Sequence, residues 1–142
     1  LNRQYTSEYL RAAAAQGITA VTRLSSEYPA RLRHTLGPRC PVVLFAKGEA
    51  ELLSARCISV VGSRELTAEG RAFAETAGRL IAEAGLTLCS GGAVGADLAA
   101  QEACLAHGGS TVIFPAGPLT DCQAPARTLY LAEQAFDAPF SA

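Results

Sequence analysis

The chain alternates between short apolar runs and longer segments in which apolar residues recur every three or four positions. The runs at residues 57–61, 86–89 and 111–114 have the length and composition of buried strands. Between them, segments such as residues 73–81 carry apolar side chains at helical spacing. The pattern predicts strand, helix, strand, helix, strand. Because crossovers between parallel strands are right-handed, we expect an α/β fold with a parallel sheet and helices on both faces.

Capping residues and glycines mark the ends of the predicted helices. Thr67 is placed to cap a helix that runs to about Ala84, where Gly85 ends it. A second helix is expected from about Ala96 to Ala106.

The flanking segments predict shorter elements and a division of the chain. Residues 1–36 are expected to be a helical lead-in with two short helices, one beginning at Thr6 or Ser7 and one at Pro29. Residues 37–142 are expected to form the main domain. This domain adds a strand at residues 42–45, a small helix at residues 50–54 and a terminal helix from about Pro125 to Phe136.

Composition bounds the class of protein. The chain has 142 residues, of which 49% are hydrophobic and 18% are charged, and this is enough to bury the core of a single domain. The formal net charge is −1, so bulk charge gives no reason to expect nucleic-acid binding. If the chain binds a polyanion, the positive potential must be local or must come from oriented backbone N–H groups.

Five cysteines are present, an odd number, and no pair has the C-x-x-C spacing. Neither a zinc site nor a disulfide framework is favoured, so we expect reduced structural cysteines, no metal and no cofactor. Reduced cysteines indicate a reducing compartment and hence a cytoplasmic location. No stretch approaches the roughly 20 apolar residues that span a bilayer, so no membrane partner is expected.

Two loops join a predicted strand directly to a predicted helix, and the carboxyl ends of parallel strands are where such folds bind ligands. The first loop contains Gly62, Ser63 and Arg64, and it leads to Thr67. Glycine permits close approach, the helix N-terminus offers N–H groups, and arginine suits phosphate. The same loop would also serve as a plain tight turn, with Thr67 as a cap and Arg64 in solvent.

The second loop is richer in glycine. Ser90, Gly91 and Gly92 follow the strand, and Gly95 precedes the next helix. The spacing matches neither the dinucleotide fingerprint nor the P-loop. Asp97 lies in the first turn of that helix, where it would either cap the helix or brace the loop.

Groups suited to catalysis are scarce. His34 and His107 are far apart in sequence, and neither has a recognisable nucleophile partner. We therefore expect a binding protein, without a catalytic site.

Four short motifs in order resemble the DNA processing protein A family (DprA, also called Smf). They cover about residues 28–117. They are Tyr28-Pro29-Ala30-Arg31-Leu32, Pro41 to Gly48, Val60-Val61-Gly62-Ser63-Arg64, and Ser90-Gly91-Gly92-Ala93-Val94-Gly95-Ala96-Asp97.

The resemblance implies an extended Rossmann-like fold that binds single-stranded DNA and delivers it to the RecA recombinase during natural transformation. It also implies self-association, so a homodimer is expected. Residues 62–64 would hold a DNA phosphate. Thr67, Ser90, Gly91, Gly92 and Gly95 would complete the pocket, and Asp97 would brace the loop.

Three departures from the family pattern stand out. Ala100-Gln101 replaces the usual Ala-His, and the segment after Gly117 lacks the expected Tyr-Pro. The family domain also continues further, so this chain is expected to be either a fragment or a shortened relative. The alternative function is a module that binds a nucleotide or phosphate ligand. Some similar folds hydrolyse nucleoside monophosphates at a Pro-Gly-Gly-x-Gly-Thr loop, but this chain has Pro115-Ala116-Gly117-Pro118 there.

Overall fold

The computed structural model describes residues 3–138, and their side chains from residue 6 onwards. Six strands form one sheet: β1 (Ile18–Thr22), β2 (Val43–Gly48), β3 (Cys57–Ser59), β4 (Thr87–Ser90), β5 (Ser110–Ile113) and β6 (Thr128–Ala132). The α-helices are α1 (Arg3–Ala15), α2 (Ala30–Leu36), α3 (Ala68–Glu83) and α4 (Ala96–Ala106). Short 3₁₀ turns lie at Gly37–Arg39, Ala50–Ser54 and Leu119–Asp121.

The strand order across the sheet is β1-β2-β6-β5-β4-β3. Strands β3 to β6 pair in parallel, whereas β2 pairs antiparallel with both β6 and β1. The α/β, Rossmann-like fold class is confirmed. The sheet is mixed, because β2 runs opposite to the other five strands.

Helices cover both faces of the sheet. On one face, α3 and α4 bury Leu88 completely. The two helices approach closely at Gly78, where an added Cβ would lie 2.9 Å from the carbonyl carbon of Ala100. On the other face, Leu32 and Leu36 of α2 pack on a core centred on Leu44, Leu129 and Leu131. A third cluster brings Ala13 of α1 against Ile18, Phe45, Leu119 and Phe136.

The expected helix from Pro125 to Phe136 is wrong, because this segment contains strand β6. Thr128, Leu129 and Leu131 are buried, and β6 fills the position between β5 and β2. Arg127, with a φ of 59°, turns the chain immediately before the strand. The neighbouring alanines favoured a helix locally, but pairing on both edges of β6 outweighs that preference.

The lead-in also contains an unexpected element. Gly17, with a φ of 72°, follows the end of α1 and turns the chain into strand β1. Strand β1 pairs with β2 from Ile18 to Thr22. Helix α1 begins at Arg3, ahead of the expected start at Thr6 or Ser7. The division of the chain at residue 36 stays a prediction.

Strand β3 is an edge of the sheet, and all three of its residues are exposed. Ile58 pairs with the buried Leu88 of β4, yet 44% of its own surface is accessible. Since a parallel sheet is ordinarily covered on both faces, this edge is the least protected part of the described sheet.

Candidate phosphate-binding site

The two loops that the sequence singled out lie side by side at one edge of the sheet. Strands β3 and β4 are parallel neighbours, so their carboxyl ends coincide. Residues 60–67 lead from β3 into α3, and residues 91–95 lead from β4 into α4. Both helix N-termini, with their positive dipole ends, are therefore brought to the same place.

The loops are in direct contact with each other. The backbone N–H of Ala96 donates to the Ser63 carbonyl oxygen at 3.0 Å. Gly95 has a φ of 102°, and a Cβ added there would lie 2.7 Å from the Cα of Arg64. A Cβ added at Gly62 would lie 2.6 Å from that of Ala96. These two glycines allow the loops to pack together, a role distinct from admitting a ligand.

Side chains beneath the second loop hold its backbone. The Asp97 carboxylate accepts a hydrogen bond from the N–H of Gly91 at 3.1 Å. The Ser90 hydroxyl accepts one from the N–H of Gly92 at 3.3 Å, and a second from the carboxamide of Gln101. Ser90, Asp97 and Gln101 are all buried. The hydrogen bond between Asp97 and the Gly91 N–H is the kind of contact expected of a residue that braces this loop.

Gln101 is a member of this arrangement that the sequence reasoning missed as a site residue. It lies four positions after Asp97, and residues four apart share a face of a helix. That spacing was the available signal. The face of α4 that carries Asp97 also carries Gln101 one turn later, so both could have been predicted to brace the loop.

The N–H groups that remain free are not those of the glycine pair. Within residues 3–138, no acceptor is found for the N–H groups of Ser63 and Arg64 in the first loop, or of Ala93 and Val94 in the second. Free N–H groups next to helix N-termini form an anion-binding environment. Gly91 and Gly92 shape this environment, while their neighbours supply its donors.

An open cleft of about 610 Å³ begins at these loops. Its charged lining residues are Arg64 and Asp121. Burial raises the pKa values of two further lining groups, the Cys122 thiol and the Tyr130 hydroxyl, so both are uncharged at neutral pH. Arg64 is exposed and forms no ion pair within the described part of the chain.

The two predicted hydroxyl residues of the first loop have local partners. The Thr67 hydroxyl accepts a hydrogen bond from the N–H of Gly70 at 3.1 Å and caps α3. The Ser63 hydroxyl accepts one from the N–H of Glu65 at 3.1 Å. Thr67 does not line the cleft. The binding roles of all the predicted site residues stay predictions.

The described residues show neither a metal site nor a membrane-spanning helix. No group of three or more His, Cys, Asp or Glu side chains among residues 3–138 is arranged to hold a metal ion. Over the same range, no helix is long and apolar enough to cross a membrane.

Comparison with known proteins gives consistent matches. The chain is 37% identical over 103 residues to the DNA processing protein DprA of Bacillus subtilis, which covers 72% of this chain and 34% of that protein. The structure of DNA processing protein A from Streptococcus pneumoniae superposes with a TM-score of 0.75 at 28% identity, covering 94% of this chain and 48% of that one.

A structure of DNA processing protein A from Helicobacter pylori, which addresses the single-stranded DNA binding mode of that protein, has a TM-score of 0.65. The identity is 21%, with 87% of this chain and 58% of that chain covered, so the likeness shows a shared fold. The chain thus spans about a third of the Bacillus protein and about half of the Streptococcus structure.

The family model for DNA recombination-mediator protein A matches residues 19–137, from the second residue of β1 to beyond β6. That range contains both loops, the cleft and the whole parallel part of the sheet. The chain belongs to the DNA recombination-mediator protein A family.

Proposed function

We propose that this chain binds single-stranded DNA through its phosphates at the paired loops, as part of a DNA processing protein. The observation that supports the proposal is the set of N–H groups in residues 63–64 and 93–94 that have no acceptor within residues 3–138. They lie beside the guanidinium of Arg64, which forms no ion pair over the same range. Backbone N–H groups and arginine are common donors to nucleic-acid phosphates, and they contact the backbone without reading sequence.

This mode of binding fits the charge of the chain. With a formal net charge of −1, long-range attraction of DNA is weak, and affinity must come from local contacts. We expect one or two phosphates to be engaged. For single strands the logarithm of affinity falls with the logarithm of salt at a slope of about −0.7 per phosphate contact, so a shallow salt dependence is expected.

Relatives support the choice of ligand. The Helicobacter pylori protein, which shares the fold, binds single-stranded DNA. By family resemblance, the wider role is delivery of that DNA to a RecA-type recombinase during natural transformation, in the cytoplasm and as a homodimer. These are proposals for the whole protein, of which the chain spans a part. Co-sedimentation with a recombinase and sedimentation velocity would test them.

Fluorescence anisotropy with a labelled oligothymidine tests the DNA proposal. Arg64→Ala should weaken binding by about tenfold or more, since a charge-assisted hydrogen bond to phosphate contributes about 1.5–3 kcal/mol. Arg71→Ala is the matched control. It removes the same charge from the exposed face of α3, where Arg71 lies 4.0 Å from Glu75. It should leave affinity within twofold of the unsubstituted chain.

Two results would contradict the proposal. One is the absence of binding by the unsubstituted chain even at low salt. The other is equal loss of affinity in both arginine variants, which would indicate that only overall charge matters.

The alternative ligand is a free nucleotide. The cleft of about 610 Å³ beside the loops is of a size that small ligands occupy, and Tyr130 offers an aromatic wall. A thermal-shift screen with nucleotides separates the two functions, because a ligand that binds only the folded state raises the melting temperature. Stabilisation by mononucleotides without binding of oligonucleotides would favour the alternative.

A further inference from the structure

Gln101 is a buried polar side chain with an unusual position. It lies in the second turn of α4 and is only 4% exposed, yet it reaches the cleft under the second loop. Its carboxamide contacts the hydroxyl of Ser90, the last residue of β4. A buried polar group is retained at a cost in desolvation, so its contact is expected to have a structural consequence.

The contact completes the acceptor capacity of Ser90. A hydroxyl oxygen accepts two hydrogen bonds, and here the donors are the N–H of Gly92 and the carboxamide of Gln101. The N–H of Gly92 is thereby turned into the protein. Gly92 itself has a φ of 73°, and an added Cβ would lie 2.9 Å from the Cγ2 of Ile113. The conformation of residues 90–92 is therefore fixed from below by Gln101, through Ser90.

We propose that Gln101 is the positioning residue of the phosphate-binding loop, and that its non-titrating carboxamide makes phosphate binding independent of pH between about 5.5 and 8. The inference rests on the proposed function, because it concerns the same site. By holding Ser90 and Gly92 inward, Gln101 sets the direction in which the following N–H groups of Ala93 and Val94 point.

Neither histidine of the chain lies around Gln101. The ionisable groups that line the cleft beside Gln101 are Arg64 from the first loop, Asp121 and Cys122 from the turn after β5, and Tyr130 of β6. On its own helix, Asp97 contacts the same loop. Histidine is the side chain that ordinarily titrates in this range. His34 and His107 both lie away from the cleft.

Two substitutions separate the carboxamide contact from simple packing. Gln101→Leu keeps a similar volume but removes the donor to Ser90. We expect affinity for an oligothymidine to fall about tenfold at every pH, and hydrogen exchange of the Gly92 amide to accelerate by about tenfold. Gln134→Leu makes the same chemical change at an exposed position outside the cleft, and it should alter neither quantity.

Gln101→His replaces the carboxamide by a titratable donor. The neutral ring can donate to Ser90, so affinity at pH 8 should be within about threefold of the unsubstituted chain. As the pH falls through the pKa of the new imidazole, a positive charge appears beside the anion site, and affinity should rise by about tenfold by pH 5.5. The unsubstituted chain should vary by less than twofold over this range.

The amide measurements do not depend on DNA, which keeps this inference separate from the proposed function. If the unsubstituted chain fails to bind DNA, the proposed function is wrong, while the Gly92 amide still reports whether Gln101 positions the loop. The inference is overturned if Gln101→Leu leaves Gly92 exchange and DNA affinity unchanged. It is equally overturned if binding by the histidine variant is as flat with pH as that of the unsubstituted chain.

Discussion

At the scale of single residues, the glycines of the two loops have different physical roles. Gly95 and Gly62 remove side chains that would separate the loops, whereas Gly92 adopts a left-handed conformation above Ile113. The sequence shows only that these positions lack a Cβ. Which neighbour each would collide with depends on tertiary structure, so the predicted ligand-approach role could not be distinguished from loop packing.

Gly95 offers a direct test of this packing role. Gly95→Ala combines a φ of 102° with a clash against the backbone of Arg64, and we expect a loss of about 3 kcal/mol or more in the free energy of unfolding. Gly85→Ala is the control. Its φ is 67° with open space around it, so it should cost only about 1 kcal/mol. Chemical denaturation measures both, and equal losses would show that the loops do not pack as described.

Sequence reasoning identified Arg64 and Asp97 from their positions in the motifs, and both lie at the loops in the structure. It did not identify Gln101, whose only signal was its spacing of four residues from Asp97, because a lone glutamine inside an alanine-rich helix carries no chemical signature of its own. It also could not show that Asp97 and Ser90 occupy the N–H groups of Gly91 and Gly92. Such contacts depend on distances of a few ångström between β4 and α4.

At the scale of secondary structure, the elements with clear capping and terminating residues were predicted well. Helices α3 and α4 lie within about two residues of their expected bounds, because a capping threonine and terminal glycines delimit them. Strands β1 and β6 were missed. Each has five residues, and each is stabilised by partners distant in sequence: β2 in one case, β2 and β5 in the other. Short-range patterns do not contain that information.

Substitution of Thr67, which caps α3, distinguishes a structural role of this residue from a role in binding. Thr67→Ala removes the hydroxyl that accepts from Gly70, and it should lower the free energy of unfolding by about 1 kcal/mol. Because Thr67 does not line the cleft, DNA affinity should stay within twofold. Thr67→Ser keeps the cap and should restore stability. A loss of affinity much larger than the loss of stability would instead place Thr67 in the phosphate site.

At the scale of the whole molecule, the sheet is protected unevenly. Strand β3 forms an open edge, and exposed apolar side chains lie on it and on α3, including Ile58, Phe73 and Leu80. The chain spans about a third of the Bacillus subtilis relative and about half of the Streptococcus pneumoniae structure. The proposed phosphate site lies within the described residues, at two loops that contact each other directly.

Overall charge also belongs to this scale. The chain carries 12 Lys and Arg against 13 Asp and Glu, so no general excess of positive charge draws DNA to it. The proposed function therefore relies on local contacts at the loop edge, where the N-termini of α3 and α4 converge. This localisation distinguishes the proposed site from nonspecific attraction, which would be spread over the surface.

The most direct test follows the backbone amides by ¹H–¹⁵N NMR while oligothymidine is added. We expect the largest shifts at the free N–H groups of residues 63–64 and 93–94. The N–H groups of Gly91 and Gly92 are already bonded inward, so they should shift much less. Helix α2 carries Arg31, Arg33 and His34. Shifts that spare both loops, or that spread evenly over these basic residues, would contradict a backbone-lined phosphate site.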